Sequence, residues 1–403
     1  MDIAMYACVA ISILFGLYFV LLALLSLARP RKAFPAARAQ KRLAVIVAAR
    51  NEESVIASLI QSLRAQNYPR ELFDIWVFPN NCQDRTAEVA RSAGAKVMVP
   101  NIPIHSKGDV LQFAFSRLLC EGYDGFVIFD ADNLVDPGFL KAANDALVSG
   151  ADAAQGYRDS KNPHQNWISG GTSIFFWAMD GMYNRVRSKL GMSAAFNGTG
   201  VVLSAGAVKT IGIRTYTLTE DLELSALCAL SGLRIEYLDS AVTYDEQPVR
   251  LADSFRQRRR WFAGSLQCLR RYGGPLARRA AQERSMSAMD LWVFFFGNIV
   301  QLIGALPGIA FLAETFLRLL QGNLVPTQLA GALALSTLLS WAASALFAMG
   351  ICLMERKLRW EMLKSVLLFP VFLLTWMPAN LSVFLTGSKI EWKPIAHGDS
   401  VGT

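Results

Sequence analysis

Cysteine is sparse and unpatterned in this chain: Cys8, Cys82, Cys120, Cys228, Cys268 and Cys352 fall at no paired spacing. Neither a disulfide framework nor a zinc-ligand set is encoded, and the main domain is expected to face a reducing compartment. No Gly-x-Gly-x-x-Gly follows the first strand-like run, and no Gly-Lys-Ser/Thr loop occurs. Dinucleotide-binding and P-loop phosphate chemistry are therefore disfavoured. Charge is scarce too, at 18% of 403 residues against 53% hydrophobic, which is too apolar for an ordinary soluble enzyme. The net charge of +8 would suit nucleic acid, but the basic residues crowd beside apolar runs. Arg29, Arg31, Lys32, Arg38, Lys41 and Arg42 follow the first run, and Arg356, Lys357 and Arg359 follow a later one. The positive-inside rule accounts for that placement better than a nucleic-acid footprint, so membrane lipids and no nucleic acid are the expected partners.

The apolar residues are gathered into membrane-length runs. Residues 3–28 meet the roughly 20-residue need of a bilayer. A cleaved signal peptide fails on charge, because the start carries Asp2 and no Lys or Arg, and the apolar stretch exceeds a signal core. Residues 1–30 read as a permanent anchor with its N-terminus outside, and 31–42 as a basic linker inside. Near the other end, runs 291–317 and 329–353 are joined by a short loop around Gln321-Gly322-Asn323, and a basic turn at 355–359 follows. A third run, 364–385, contains Pro370 and Pro378 and is expected to be kinked, broken or re-entrant. The layout predicts three transmembrane or re-entrant segments within 286–388 and a tail at 389–403. Counting spans puts the C-terminus outside, whereas Lys389 and Lys393 or a re-entrant last segment argue the opposite.

Between these runs lies an α/β unit, residues 43–250. Buried strands are predicted at 43–49, 75–78, 96–99, 126–130, 153–158 and 201–203, with helices at 54–66, 87–93 and 106–119. Alternation at these lengths indicates a mostly parallel sheet with nucleotide-binding geometry. Residues 168–189 read either as an amphipathic helix at the membrane surface or as a helix packed on the sheet. The organising stretch is Gly125-Phe126-Val127-Ile128-Phe129-Asp130-Ala131-Asp132-Asn133, an apolar strand ending in two carboxylates. Ligands of open α/β sheets sit outside the carboxyl ends of the strands. Two acids there repel unless a divalent cation intervenes, and hard oxygens suit Mg²⁺ or Mn²⁺. An Asp-rich turn is the plainer reading of the same residues.

Two further clusters stand apart. Thr219-Glu220-Asp221 opens a helix over 222–230, with Thr219 or its neighbour as N-cap and acids in the first turn, where the dipole favours an ionised carboxylate. Gln257-Arg258-Arg259-Arg260-Trp261 lies in 251–285, which is expected to be an interfacial helix region with snorkelling arginines. Guanidinium groups also fit phosphate, and an exposed Trp offers a stacking face for a sugar ring.

Asp130-Ala131-Asp132, Thr219-Glu220-Asp221 and Gln257-x-x-Arg260-Trp261, in this order on an α/β unit between membrane runs, resemble the family-2 glycosyltransferases of the hyaluronan, chitin and cellulose synthase group. Further matches are Val47-Ala48-Ala49-Arg50-Asn51-Glu52-Glu53, Asn81-Cys82-Gln83-Asp84-Arg85-Thr86, Lys107-Gly108 and Tyr244-Asp245-Glu246-Gln247-Pro248. The resemblance spans roughly residues 43–270. It implies a GT-A fold, with 43–250 cytoplasmic, and an inverting transfer from a UDP-sugar to a growing polysaccharide or oligosaccharide. The lipid transferases that carry a related Gln-x-x-Arg-Trp make single-sugar transfer to a membrane lipid the alternative.

Carried over residue by residue, Asn51, Glu53 and Asp84 would surround the uridine, with Lys107 close by. Asp130 and Asp132 would bind the diphosphate, Asp132 chiefly through Mg²⁺ or Mn²⁺. Asp221, with Glu220 beside it, would be the general base, and Gln257, Arg260 and Trp261, with Thr219, would hold the diphosphate and the acceptor. The layout fits a bacterial inner-membrane protein, with a second copy or an export partner left open. This chain has fewer spans than the large polymer exporters, closer to the rhizobial chitin-oligosaccharide synthases.

Overall fold

The computed structural model describes residues 3–29, 33–212, 214–321 and 326–386. Arg31, Lys32, Gly322, Asn323, Lys389, Lys393 and the tail 389–403 lie outside them. Helix α1 (Ile3–Leu27) buries only Leu22 and Ser26, as an apolar helix without a soluble core to join.

The sheet begins with β1 (Leu43–Ala49), whose Val and Ile side chains are wholly buried. Each such side chain contributes about 1.5–3 kcal/mol relative to exposure. Helix α2 (Ile56–Arg64), β2 (Phe73–Pro79), α3 (Thr86–Ser92), β3 (Lys96–Val97) and α4 (Lys107–Leu118) follow, then β4 (Gly125–Asp130), β5 (Leu134–Val135), α5 (Phe139–Val148) and β6 (Ala153–Ser160). After α6 (Trp167–Ala178), a π-helical turn (Met179–Asn184) and α7 (Arg185–Lys189) come β7 (Val201–Ser204), α8 (Ala205–Ile211), α9 (Glu220–Leu230) and β8 (Ile235–Asp245).

The eight strands run β3-β2-β1-β4-β7-β6-β8-β5. The half from β3 to β4 is parallel, and so is β6 with β8; β7 is antiparallel to both its neighbours and β5 to β8. The mostly parallel expectation therefore holds, with three antiparallel pairings that the alternation did not reveal. Ala48 lies opposite Asp130 and Ala49 opposite Pro79, so the loops leaving β1, β2 and β4 emerge together at one edge.

Residues 168–189 are a packed helix, not a membrane-surface one. α6 buries nine of its twelve residues, and Trp177 Nε1 donates to Asp159 Oδ1 on β6 at 2.8 Å. A Cβ on Gly170 would stand 2.0 Å from Ser365 Oγ, and one on Gly171 2.7 Å from the Phe372 ring. Only glycine lets α6 approach the helix over Leu363–Leu374 so closely.

Helix α10 (Leu251–Gln282) carries the Gln-x-x-Arg-Trp run, and α11 (Met286–Leu320) and α12 (Pro326–Met354) are long and apolar. α13 (Leu363–Leu374) and α14 (Trp376–Thr386) divide the last run at Thr375. At 1.5 Å per residue they are about 18 and 17 Å long, each short of the ~30 Å hydrocarbon core. Four apolar helices, counting 360–385 as one, are long enough to cross a membrane. That last one is 44% buried against 6–22% for the others, so it packs more extensively on the rest of the protein than they do.

Candidate active site

At the β1 and β2 ends the chain forms a cup from its own backbone amides. Asn51 adopts a left-handed φ of 59°, and its Oδ1 accepts from Gln83 N at 2.8 Å. Glu53 N donates to Asp84 Oδ2 (3.1 Å), and Glu53 Oε2 accepts from Arg85 N (3.0 Å). Burial opposes ionisation of Asp84, but Thr86 N (3.0 Å) and Thr86 Oγ1 (2.5 Å) hold its pKa below the usual carboxylate range. Asn51 and Glu53 are thus one unit with Asp84, 31 residues beyond Glu53.

Lys107 stands elsewhere, at the first turn of α4, where a Ser106–Asp109 capping box fixes the helix start. Its ammonium meets Asp130 Oδ1 (2.5 Å), Gly198 O (2.7 Å) and Glu220 Oε1 (3.3 Å). Burial pulls its pKa down, but the carboxylates outweigh that and hold it above the ordinary lysine value. Lys107 therefore joins the β4 end to the start of α9, a connection that its sequence position did not give.

A second chain of contacts closes around the same place. Asn133 Nδ2 donates to Asp132 Oδ1 (3.3 Å) and Asp245 Oδ1 (3.0 Å), and Asp245 pairs with the Arg158 guanidinium through Nε (3.0 Å) and Nη2. Arg158 Nη1 donates to Asn197 O (2.5 Å) and its guanidinium lies 3.7 Å over the Phe176 ring. Gly198, at φ 97°, sits between them: a Cβ there would lie 3.4 Å from Arg158 Nη1 and 3.7 Å from Asp221 Oδ2. Sequence reasoning missed Arg158. It lies within β6, 87 residues from its partner Asp245, and a charge in a short strand-like run carries no sign of such pairing.

The start of α9 corrects two expectations. Thr219 occupies the N-cap position but makes no side-chain cap bond. It is buried against α10, where a Cβ on Gly264 would stand 2.4 Å from Thr219 Oγ1. Glu223 does the tethering instead, its buried carboxylate accepting from Tyr216 N and Thr217 N (2.7 Å each) and from Tyr272 OH (2.5 Å). Nor does the helix dipole keep Asp221 an ordinary acid. Burial first, and then the neighbouring Glu220 charge, push its pKa up to about 6, against the opposing pull of Leu222 N, Lys107 and Arg260.

On α10, Arg260 Nη1 donates to Leu218 O (3.2 Å), just before Thr219, and Gln257 Oε1 is buried without a hydrogen-bond partner. Trp261 is not exposed as expected. Its ring is partly buried, 6.1 Å from Phe175, 5.5 Å from Phe176 and 6.2 Å from Trp376 of α14.

Chemically, the edge joins the Asp221 carboxyl with its pKa raised to about 6, fixed cations at Lys107 and Arg260, and two carboxylates at the end of β4. Asp130 and Asp132 offer the hard oxygens Mg²⁺ or Mn²⁺ takes. Among the described residues no group of three or more His, Cys, Asp or Glu side chains is assembled to hold a metal. The pair therefore suits an ion completed by phosphate oxygens and water, as Mg²⁺ usually is, and not a closed protein cage.

The probable glycosyltransferase YdaM of Bacillus subtilis is 25% identical over 283 residues, 66% of this chain and 64% of that protein. A beta-monoglucosyldiacylglycerol synthase of Synechocystis sp. is 24% identical over 233 residues, 56% of this chain and 48% of that one. The chain thus spans about half to two thirds of the length of these curated relatives. Among solved structures, the mannosyltransferase PcManGT from Pyrobaculum calidifontis, in complex with GDP-Man and Mn²⁺, superposes with a TM-score of 0.63 at 17% identity. That likeness covers 93% of this chain and 99% of that one, so the shared fold extends beyond the α/β unit. The family model for glycosyltransferase like family 2 matches residues 40–264, from β1 through the Gln-x-x-Arg-Trp run, and the chain belongs to that family.

Proposed function

We propose that the chain is a membrane-bound inverting glycosyltransferase that moves one sugar from a UDP-sugar to a membrane lipid. The observation that carries the lipid acceptor is the setting of Trp261, whose ring packs against Phe175 of α6 and against Trp376 of α14, in the last apolar run. An acceptor presented there arrives from the bilayer side. The beta-monoglucosyldiacylglycerol synthases among the relatives support the same choice over the polymer product that the hyaluronan, chitin and cellulose synthase resemblance implies.

In this reading Asn51, Glu53 and Asp84 hold the nucleoside. Asp221 takes the proton from the acceptor hydroxyl as it attacks in line, and a pKa of about 6 leaves it mostly ionised and still basic at pH 7. Negative charge gathers on the departing diphosphate, and Lys107 and Arg260 stabilise it where it develops. A divalent cation at Asp130 and Asp132 would supply further charge stabilisation there. Arg158 and Asp245 fix the Asn197–Gly198 backbone that positions Lys107. The α/β unit is assigned to the cytoplasmic side of a bacterial inner membrane, in keeping with the basic residues near its membrane runs.

The test is UDP release by purified protein in nanodiscs, across UDP-sugars with Mg²⁺ or Mn²⁺, with the products weighed by mass spectrometry. A single glycosylated lipid is expected. A ladder of sugars would replace the lipid acceptor with a polymer, and silence with every donor, GDP-mannose included, would overturn the transferase reading.

A further inference from the structure

Arg258 is 1% exposed, yet it has no carboxylate partner among the described residues. The other deeply buried arginines do: Arg158 pairs with Asp245, Arg185 with Glu355 and Arg187 with Asp290. Arg258 Nε donates to Ser254 O (3.0 Å), and Nη1 to Thr375 Oγ1 (2.6 Å) and Phe372 O (3.4 Å), at the break between α13 and α14. Nη2 is buried with no partner at all, as are Ser254 Oγ one turn away and Trp376 Nε1 beside it. The guanidinium carbon lies 5.5 Å from the Trp376 ring centre, and that ring lies 6.2 Å from Trp261.

Helical geometry separates this group from the donor site. Residues two apart point about 200° from one another, and residues three apart share a face. Arg260 therefore turns to Leu218 and the start of α9, while Arg258 turns with Trp261 toward α13 and α14. A buried unpaired charge costs several kcal/mol, and burial with no acid nearby pushes the Arg258 pKa down to about 10. A cation with one unpartnered donor of its own and two further unpartnered groups nearby, beside the last apolar run, match a tetrahedral oxyanion carried by a lipid.

We propose that Arg258, Ser254 and Trp376 bind the phosphate of a membrane lipid in the break between α13 and α14, bringing that lipid's head against Trp261. The binding stands on these residues alone; only the use of the lipid as acceptor rests on the function proposed above.

The purified full chain in neutral detergent would be titrated with phosphatidic acid, with diacylglycerol of the same chains and with inorganic phosphate, and occupancy read by native mass spectrometry. Phosphatidic acid is expected to bind well above diacylglycerol, and Arg258→Gln to weaken it by about tenfold or more, the scale of one charge-assisted hydrogen bond, with UDP affinity unchanged. Should Arg258→Gln fail to hold UDP, Trp376→Phe decides: it keeps an aromatic ring at that place, removes the Nε1 donor together with the rest of the indole's five-membered ring, and is expected to weaken phosphatidic acid several-fold. Displacement of the lipid by millimolar inorganic phosphate would show that the site takes phosphate from either source. Lack of displacement would show that it takes the lipid-borne group. Equal binding of the two lipids, or wild-type binding by a folded Arg258→Gln and by Trp376→Phe, overturns the proposal and leaves Arg258 as a cap on the last turn of α13. UDP release that needs no lipid phosphate would leave the transferase intact while removing this lipid as its acceptor.

Discussion

The acid limb of the pH–rate profile is the sharpest consequence of the site. Asp221 must be ionised to take a proton, and its pKa stands at about 6 against an ordinary 3.8. Lowering the pH from 7 to 5 should therefore cut the ionised fraction from about nine-tenths to about one-tenth, and the rate about tenfold. Burial is the larger cause of the rise and the Glu220 charge the next. Glu220→Gln removes the second and leaves the first, so the limb should move down by roughly one pH unit without reaching 3.8. The sign follows from the group being an acid raised by a like charge: neutralising that charge eases ionisation and extends activity to lower pH. The assay is UDP release at saturating donor and acceptor from pH 4.5 to 8, for the wild type, Glu220→Gln and Asp221→Asn. The last should lose about 10²–10⁴ in rate at every pH while retaining UDP affinity. A wild-type limb near pH 4, or one unmoved by Glu220→Gln, would refute the assignment of Asp221 as a half-buried base whose pKa is raised by Glu220.

Asp132→Ala and chelation by EDTA should each abolish transfer, and added Mg²⁺ or Mn²⁺ should rescue the chelated wild type but not the variant; rescue of both would remove Asp132 from the metal. Trp261→Ala should lower transfer to the acceptor more than hydrolysis of the donor, measured side by side, and equal losses would exclude an acceptor role for the ring. Arg158→Met leaves Asp245 buried without its cation, which should cost about 3–5 kcal/mol. A Tm in detergent unchanged from wild type would show that the pair is not structural.

The elements legible in sequence were those with a local cause. The runs 43–49 and 126–130 are strands because consecutive apolar residues need cover on both faces, and β1 and β4 match them almost residue for residue. The break in the last apolar run was expected from Pro370 and Pro378, yet it falls at Thr375. The 11-residue strand β8 went unread, because its alternation is interrupted where the register with β6 shifts at Gly156 and Tyr157. Residues 168–189 carried two compatible readings. Only the close approach of Gly170 and Gly171 to α13 decided for the packed helix, a contact set by residues nearly 200 positions away.

The same division runs through the site. By itself the sequence marked out the candidate residues, because carboxylates at a strand end, acids at a helix start and Arg beside Trp are local patterns. Tertiary structure alone decided what those residues do to one another. It drew Lys107 onto Asp130 and Glu220, set Arg158 against Asp245, raised Asp221 by enclosing it beside Glu220, and turned Trp261 inward to Phe175 and Trp376. Charge interaction and desolvation depend on distance and burial in space, and no spacing along a chain of this length encodes either.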